Sequence, residues 1–135
     1  SLRREIELAK RHNHPLAIVS ICFHAGQNLN DVAVHAEIMD AFADLMLRNK
    51  DSTNLIYRAA KLEFLLITPN DPELVSHTIE SVKGWYNLLQ DQFEMPPLQL
   101  NIGYATVTGT DSVKSVIDRA KKNVAADSYF SGRTS

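Results

Sequence analysis

Three charged side chains, Arg58, Lys61 and Glu63, lie close together in an otherwise apolar stretch of the sequence. Arg58 and Lys61 could attract a phosphate group, and Glu63 could hold a metal ion, because hard cations bind carboxylate oxygen. Each also has a plainer interpretation, since most charged residues are exposed and have no ligand. A salt bridge with a neighbouring acid is the favoured interpretation of Arg58, and a solvated position is the favoured interpretation of Glu63.

One cysteine and several histidines are the other candidate reactive groups. Cys22 lies in an apolar run, where we interpret it as a small buried residue rather than a reactive thiol. His12, His14 and His24 could suggest a metal site. They lie on different predicted elements without accompanying acids or cysteines, so we do not expect them to bind metal.

The charged cluster lies between two predicted strands. Ile56-Tyr57 and the run from Phe64 to Ile67 are rich in β-branched and aromatic residues, so we predict a hairpin from about Asn54 to Thr68. The sequence between the two runs contains no Asn-Gly or Asp-Gly pair, which a two-residue hairpin turn favours. We therefore expect a turn that is not an ordinary tight one.

The remaining segments alternate between helical and strand patterns. A continuous apolar run from Leu16 to Phe23 predicts a strand that is buried on both faces, and alternation from Leu98 to Val107 predicts another strand. The tail from Tyr129 to Arg133 is either a short strand or loose. Apolar residues at helical spacing predict four helices, over residues 2–13, Asn30 to Arg48, Asn70 to Phe93, and from Asp111 or Ser112 onward.

This order predicts an α/β fold of the α+β type. Long helices join strands on either side of a hairpin, and the ferredoxin-like βαββαβ arrangement satisfies that order. We expect a central, mostly antiparallel sheet flanked by helices.

Length, composition and net charge limit the class of protein to which the chain can belong. The 135 residues suit a single domain, 1–135, which we expect to have been excised from a longer multidomain protein. The formal charge of -2 gives no basic surface for nucleic acid or for membrane lipids. One cysteine and the lack of any apolar run near the roughly 20 residues of a membrane span predict a cytoplasmic segment. The parent protein could still be anchored in a membrane.

Several short motifs, taken in order, make the chain similar to the GGDEF (diguanylate cyclase) family over nearly its whole length. Arg58-Ala59-Ala60-Lys61-Leu62-Glu63-Phe64 stands where the family has Arg-x-Gly-Gly-Asp/Glu-Glu-Phe. Further matches are Leu16 through Asp31, His35, Asn101-Ile102-Gly103, Arg119-Ala120 and Gly132-Arg133. The resemblance implies a nucleotide-cyclase-like fold and an enzyme that joins two GTP molecules into cyclic di-GMP with two metal ions.

The resemblance also identifies the positions of the metal carboxylates, which here are Cys22 and Leu62. Neither side chain can ligate Mg²⁺. Glu63 is adjacent to Leu62, but neighbours on an extended strand point to opposite faces. Ala60 and Lys61 replace two glycines that would let a phosphate approach the backbone. We therefore expect a degenerate signature from Ala60 to Phe64, with no catalytic residue, no metal and no cofactor.

The nucleotide-binding positions implied by the resemblance are also incomplete. Asn30 matches the family's guanine-reading asparagine, although a helix cap at Asn30-Asp31 is the favoured interpretation. The acidic partner of that asparagine falls on Met39. Arg58 and Lys61 remain candidate nucleotide-binding residues. The inhibitory product site falls on the segment from Asp51 to Asn54, which has no arginine, so we expect that site to be absent.

These observations lead to two expectations about function. The first is an inactive GGDEF-like domain that regulates or contacts other domains in a bacterial cyclic di-GMP signalling protein. Its partners would be sensor or phosphodiesterase-type domains of the same chain, another signalling protein, or a second copy in a dimer. The alternative is a nucleotide-sensing module that binds GTP or cyclic di-GMP without turnover and controls a neighbouring domain.

Overall fold

A computed structural model of the chain describes residues 2–24, 32–49, 54–93, 99–123 and 129–130. The helices are α1 (Leu2–His12), α2 (Val32–Asn49), α3 (Pro72–Phe93) and α4 (Val113–Lys122). The strands are β1 (Leu16–His24), β2 (Leu55–Ala60), β3 (Glu63–Pro69), β4 (Gln99–Thr106) and β5 (Tyr129–Phe130). None of these helices combines the length and the hydrophobicity that a membrane crossing requires.

The strands form one sheet in the order β2-β3-β1-β4-β5, and every neighbouring pair is antiparallel. β1 lies at the centre, with its first residue, Leu16, opposite Pro69 and its later residue Cys22 opposite Glu63. The helix α2 joins β1 to the hairpin, and α3 joins the hairpin to β4. The predicted ferredoxin-like βαββαβ core with an antiparallel sheet is therefore confirmed.

Each face of the sheet carries its own apolar core, because successive residues of a strand point to opposite faces. One core lies under α2 and α3 and includes Val19, Ile21 and Phe42, all fully buried. The other core lies under α1 and α4 and includes Ile6 and Ile18. β1 contributes to both, which explains its uninterrupted apolar sequence.

The hairpin turn is tighter than the sequence predicted. β2 continues through Ala60 and β3 begins at Glu63, so only Lys61 and Leu62 form the turn. Among the described non-glycine residues only Asn13 has a positive φ, so this turn differs from the favoured primed types. A bulge between Arg58 and Ala60 accompanies it. A bulge bends its strand and increases the local twist of the pair.

The predicted ends of the elements are mostly close to the observed ones. The last helix begins with Ser112 as its N-cap, and Ser112 and Ser115 form a reciprocal capping box. Tyr129–Phe130 is a short strand, which agrees with the first of the two alternatives predicted for the tail. The predicted starts at Asn30 and Leu98 lie outside the described residues.

Candidate functional site

The hairpin tip, residues 58–64, lies beside the carboxyl end of β1. Glu63 is directly opposite Cys22 in the sheet, and the backbone N–H of Phe23 donates to the carbonyl of Leu62 at 2.8 Å. On the other side of β1, Cys22 is opposite Asn101 of β4. The fold therefore brings the signature-like segment next to the first metal position that the resemblance implies.

Arg58 acts on the hairpin itself. Its Nε donates to the carbonyl of Ala60 at 3.0 Å, and its Nη2 donates to the carbonyl of Lys61 at 2.6 Å. The guanidinium also lies 4.9 Å from the ring centroid of Phe64, within the range of a cation–π contact. No acid in the described part of the chain forms an ion pair with Arg58. Among these residues Arg58 therefore has no salt bridge, and its guanidinium instead binds two carbonyls of the turn.

Glu63 is an ion-pairing residue rather than a merely solvated one. Its Oε1 lies 2.7 Å from Nζ of Lys121 on α4, and the two side chains are 30% and 40% exposed, respectively. The hydrogen bond to Glu63 raises the pKa of Lys121 above its ordinary value. The interpretation of Glu63 as a solvated residue is thus corrected. Lys121 was missed because a partner from a distant helix leaves no local sequence signal.

Cys22 is half-buried and lies on the same side of the sheet as Glu63. Its Sγ is 3.4 Å from the hydroxyl oxygen of Ser20. Burial raises the pKa of the Cys22 thiol, and the bond with Ser20 opposes that rise. The negative charge of Glu63 raises the pKa further, so the thiol is protonated at neutral pH. A protonated thiol is a poor metal ligand and a poor nucleophile.

The two implied metal positions present their side chains to opposite faces of the sheet. Leu62 packs against the core under α2 and α3, whereas Cys22 faces the side of Glu63 and Lys121. Over the described ranges there is also no group of three or more His, Cys, Asp or Glu residues that could hold a metal ion. A thiol and an isobutyl group on opposite faces do not fit Mg²⁺, which prefers several oxygen donors around one point.

The other predicted site residues are dispersed. Lys61 is exposed at the turn, Met39 is fully buried in α2, and Asn54 is buried where β2 begins. A fully buried thioether cannot read a guanine edge, which agrees with the mismatch at Met39. Asn30 and Asp51 lie outside the described residues, as does Arg133.

A second polar cluster, unrecognised from the sequence, lies where β4 meets α4. Arg119 donates Nη1 and Nη2 to the two carboxylate oxygens of Asp111, at 2.8 Å each. The Arg119 hydrogen bonds hold the pKa of Asp111 well below its usual range. Asp111 also accepts from the backbone and hydroxyl of Thr108. These bonds connect the loop before α4 to the helix itself.

No protein-family model matches the sequence, and neither does any curated protein. Solved structures do match in fold. A microbial GGDEF domain studied with cyclic di-GMP superposes with a TM-score of 0.66 at 17% identity, over 90% of this chain and 77% of that one. The GGDEF domain of DgcB from Caulobacter crescentus, in complex with cyclic di-GMP, gives 0.64 at 14% identity, over 90% and 76%.

The solved structure of an active enzyme domain also has a similar fold. The active GGEEF domain of a diguanylate cyclase from Vibrio cholerae superposes with a TM-score of 0.55 at 17% identity, over 89% of this chain and 80% of that one. At such low identity the likeness concerns the path of the backbone. The chain is accordingly GGDEF-like in fold.

Proposed function

We propose that this chain is a GGDEF-like domain that takes part in cyclic di-GMP signalling without making the dinucleotide. It would regulate or contact neighbouring domains of a bacterial protein, of the sensor or phosphodiesterase type, on the cytoplasmic side. The fold supports this proposal, as do the two similar structures that were determined with cyclic di-GMP.

The observation that carries the proposal is the chemistry of the hairpin tip. The two positions where the resemblance implies metal carboxylates hold Cys22 and Leu62, whose side chains face opposite sides of the sheet. The remaining carboxylate, Glu63, is bound to Lys121 at 2.7 Å. Phosphoryl transfer depends on metal ions that neutralise the developing charge, and this tip offers them no converging oxygen donors.

The direct test is a cyclase assay. The purified chain is incubated with GTP and either Mg²⁺ or Mn²⁺, and cyclic di-GMP is measured by chromatography and mass spectrometry beside an active diguanylate cyclase. We expect no product above the level without protein. Sustained, concentration-dependent formation of cyclic di-GMP by this chain would refute the proposal.

The alternative, a module that senses a nucleotide without turnover, is favoured by one observation. Lys61 is exposed at the hairpin tip, beside Arg58, where the pair presents positive charge to solvent. Calorimetric titration with GTP, GDP and cyclic di-GMP tests it, with Lys61→Ala as the variant and exposed Lys122→Ala on α4 as the matched control. Heat that is lost only in Lys61→Ala supports sensing at the tip, and no heat with any of the three nucleotides excludes it.

A further inference from the structure

The helices on the two faces of the sheet carry opposite charge. On one face, α1 and α4 together contain eight lysine or arginine residues and three acidic residues. On the other face, α2 and α3 contain two lysine or arginine residues and six acidic residues. The formal charge of -2 for the whole chain does not reveal this separation. We refer to α1 and α4 as the basic layer, and to α2 and α3 as the acidic layer.

Part of the positive charge of the basic layer is not neutralised within the fold. Arg119 and Lys121 are paired, with Asp111 and Glu63 respectively. Three other bases are exposed and form no ion pair with any residue that the structure describes: Arg3, Arg11 and Lys122. The outer surface of α1 and α4 therefore has positive charge available for a partner.

The acidic layer has unpaired charge of the opposite sign. Four of its acids are exposed and, within the described ranges, form no ion pair: Glu37, Asp40, Glu73 and Asp91. Two of them lie on α2 and two on α3, so the negative charge extends across both helices. The molecule thus presents two complementary surfaces on opposite sides of one sheet.

Apolar side chains accompany the charges on both layers. They matter because exposed ion pairs alone stabilise an association only weakly. In the acidic layer, Leu47 is 60% exposed and Leu88 is 56% exposed. In the basic layer, Leu8 and Ile117 are half-buried. Contact between the two layers would therefore remove apolar surface from water as well as pair charges.

We propose that copies of this chain stack on one another, with the basic layer of one copy against the acidic layer of the next. A second copy suits both layers, because it presents the opposite sign to each. A polyanion suits only the basic layer, and its approach is opposed by the acidic layer and by the negative net charge. Since two different surfaces meet, the contact is heterologous, and a dimer keeps one unpaired layer of each sign. Assembly therefore continues past the dimer.

Sedimentation velocity over a range of protein concentrations tests this stacking. At about 10 mM salt, where charges act over roughly 30 Å, we expect the average sedimentation coefficient to rise with concentration beyond that of a dimer. At about 1 M salt, where this distance is roughly 3 Å, the chain should be monomeric. A monomer under all of these conditions, or an association that salt does not weaken, overturns the proposal.

Two double variants test which surfaces meet. Asp40→Asn with Asp91→Asn neutralises exposed acids of the acidic layer, and Arg3→Gln with Lys122→Gln neutralises exposed bases of the basic layer. Each variant alone should associate about tenfold more weakly than wild type. The two variants mixed in equal amounts should form a heterodimer with wild-type affinity, because each supplies the native layer that the other lacks. Lys61→Gln, exposed at the hairpin turn outside both layers, is the control and should associate as wild type does.

The mixture gives the decisive result. A mixture that associates no more strongly than the separate variants contradicts the stacking of basic layer on acidic layer. Equal weakening in Lys61→Gln would show that net charge rather than the two layers governs association, and it would also overturn the proposal. Binding of wild type to an oligonucleotide without self-association would assign the basic layer to a polyanion instead. None of these results depends on whether the chain is a cyclase.

Discussion

Gly103 lies where β4 passes closest to α4. A Cβ atom at this position would be 2.1 Å from the carbonyl oxygen of Ala120 and 2.9 Å from that of Asn123. Both obstacles are backbone atoms, which cannot turn aside as a flexible side chain would. Close approach of helix to strand, rather than a special φ, therefore requires glycine here.

We expect Gly103→Ala to lower the free energy of unfolding by about 1–3 kcal/mol, because the helix must move away from the strand. Urea unfolding followed by circular dichroism measures this loss. The matched control is Gly84→Ala in α3, where an added Cβ meets nothing within 4 Å. That control should stabilise the protein by about 0.5–1 kcal/mol, because alanine favours helix. Equal effects of the two substitutions would contradict this account of Gly103.

Asp111 makes stability depend on pH in a defined direction. Arg119 holds the pKa of Asp111 below the value of about 4 that an unfolded chain has. The contribution is complete above about pH 5, when the carboxyl is ionised in both states, and it shrinks as the pH falls below about 4. We expect Asp111→Asn to be about 1–3 kcal/mol less stable at pH 7.

Urea unfolding of both proteins between pH 7 and pH 3 provides the measurement. The difference between wild type and Asp111→Asn should narrow toward low pH, since protonation removes the same charge that the substitution removes. Asp118→Asn, at a more exposed carboxylate on α4, is the control. A difference that stays constant over this range would show that the Asp111 charge does not supply the stability.

At the scale of single residues, the sequence shows which side chain occupies each site position, but not which other groups that side chain contacts in the fold. Cys22 and Leu62 could be recognised as unsuitable for metal because a side chain's donor atoms are fixed by its identity. The partner of Glu63 could not be recognised, because Lys121 approaches only when α4 packs on the sheet. The same applies to Arg58, whose acceptors are backbone carbonyls that exist only in the folded turn.

The hairpin as an element depends on Arg58. Its planar guanidinium reaches the carbonyls of Ala60 and Lys61 at once and also covers the ring of Phe64. A lysine ammonium cannot reproduce that fork. We expect Arg58→Lys to lower the free energy of unfolding by about 0.5–1.5 kcal/mol, the value of a typical hydrogen bond.

Urea unfolding compares Arg58→Lys with Arg48→Lys. Arg48 forms an exposed ion pair with Asp44 on α2, and such a pair contributes about 0.3–0.5 kcal/mol. The hairpin variant should lose more than the helix variant. Amide exchange should also become faster at the turn, where the two acceptor carbonyls lie. Losses of the same size would mean that Arg58 does not clamp the turn.

Most helices and strands were predictable because burial of one face or stripe makes apolar residues recur at a regular spacing in the sequence. The stripe of α3 and the uninterrupted apolar run of β1 each indicate the element and its burial, and both proved to have nearly the predicted bounds. The turn was not predictable in the same way. Its residues are not ones that favour turns. Its geometry depends on the bulge between Arg58 and Ala60 and on the hydrogen bond from Arg58 to the carbonyl of Lys61, and no known turn motif in the sequence indicates either feature.

The whole molecule is organised as two cores that share one sheet. Ile6 of α1 lies in one core, and Trp85, the only tryptophan in the chain, packs against the other. The central strand β1 supplies side chains to both, as Ile18 on one face and Val19 on the other show. Loss of either core exposes the back of the strand that supports the remaining one, so the two should unfold together.

This coupling predicts that a destabilising substitution in the core on one face of the sheet also lowers the unfolding midpoint measured by a probe on the other face. Ile6→Ala removes a side chain that is 1% exposed and should lower the free energy of unfolding by about 2–5 kcal/mol. Trp85 fluorescence and far-ultraviolet circular dichroism should shift to the same lower urea midpoint, although Trp85 is on the opposite face. If the fluorescence midpoint stayed at its wild-type value while the circular dichroism changed, the two layers would unfold independently. A common shift instead means that β1 transmits the loss of one core to the other.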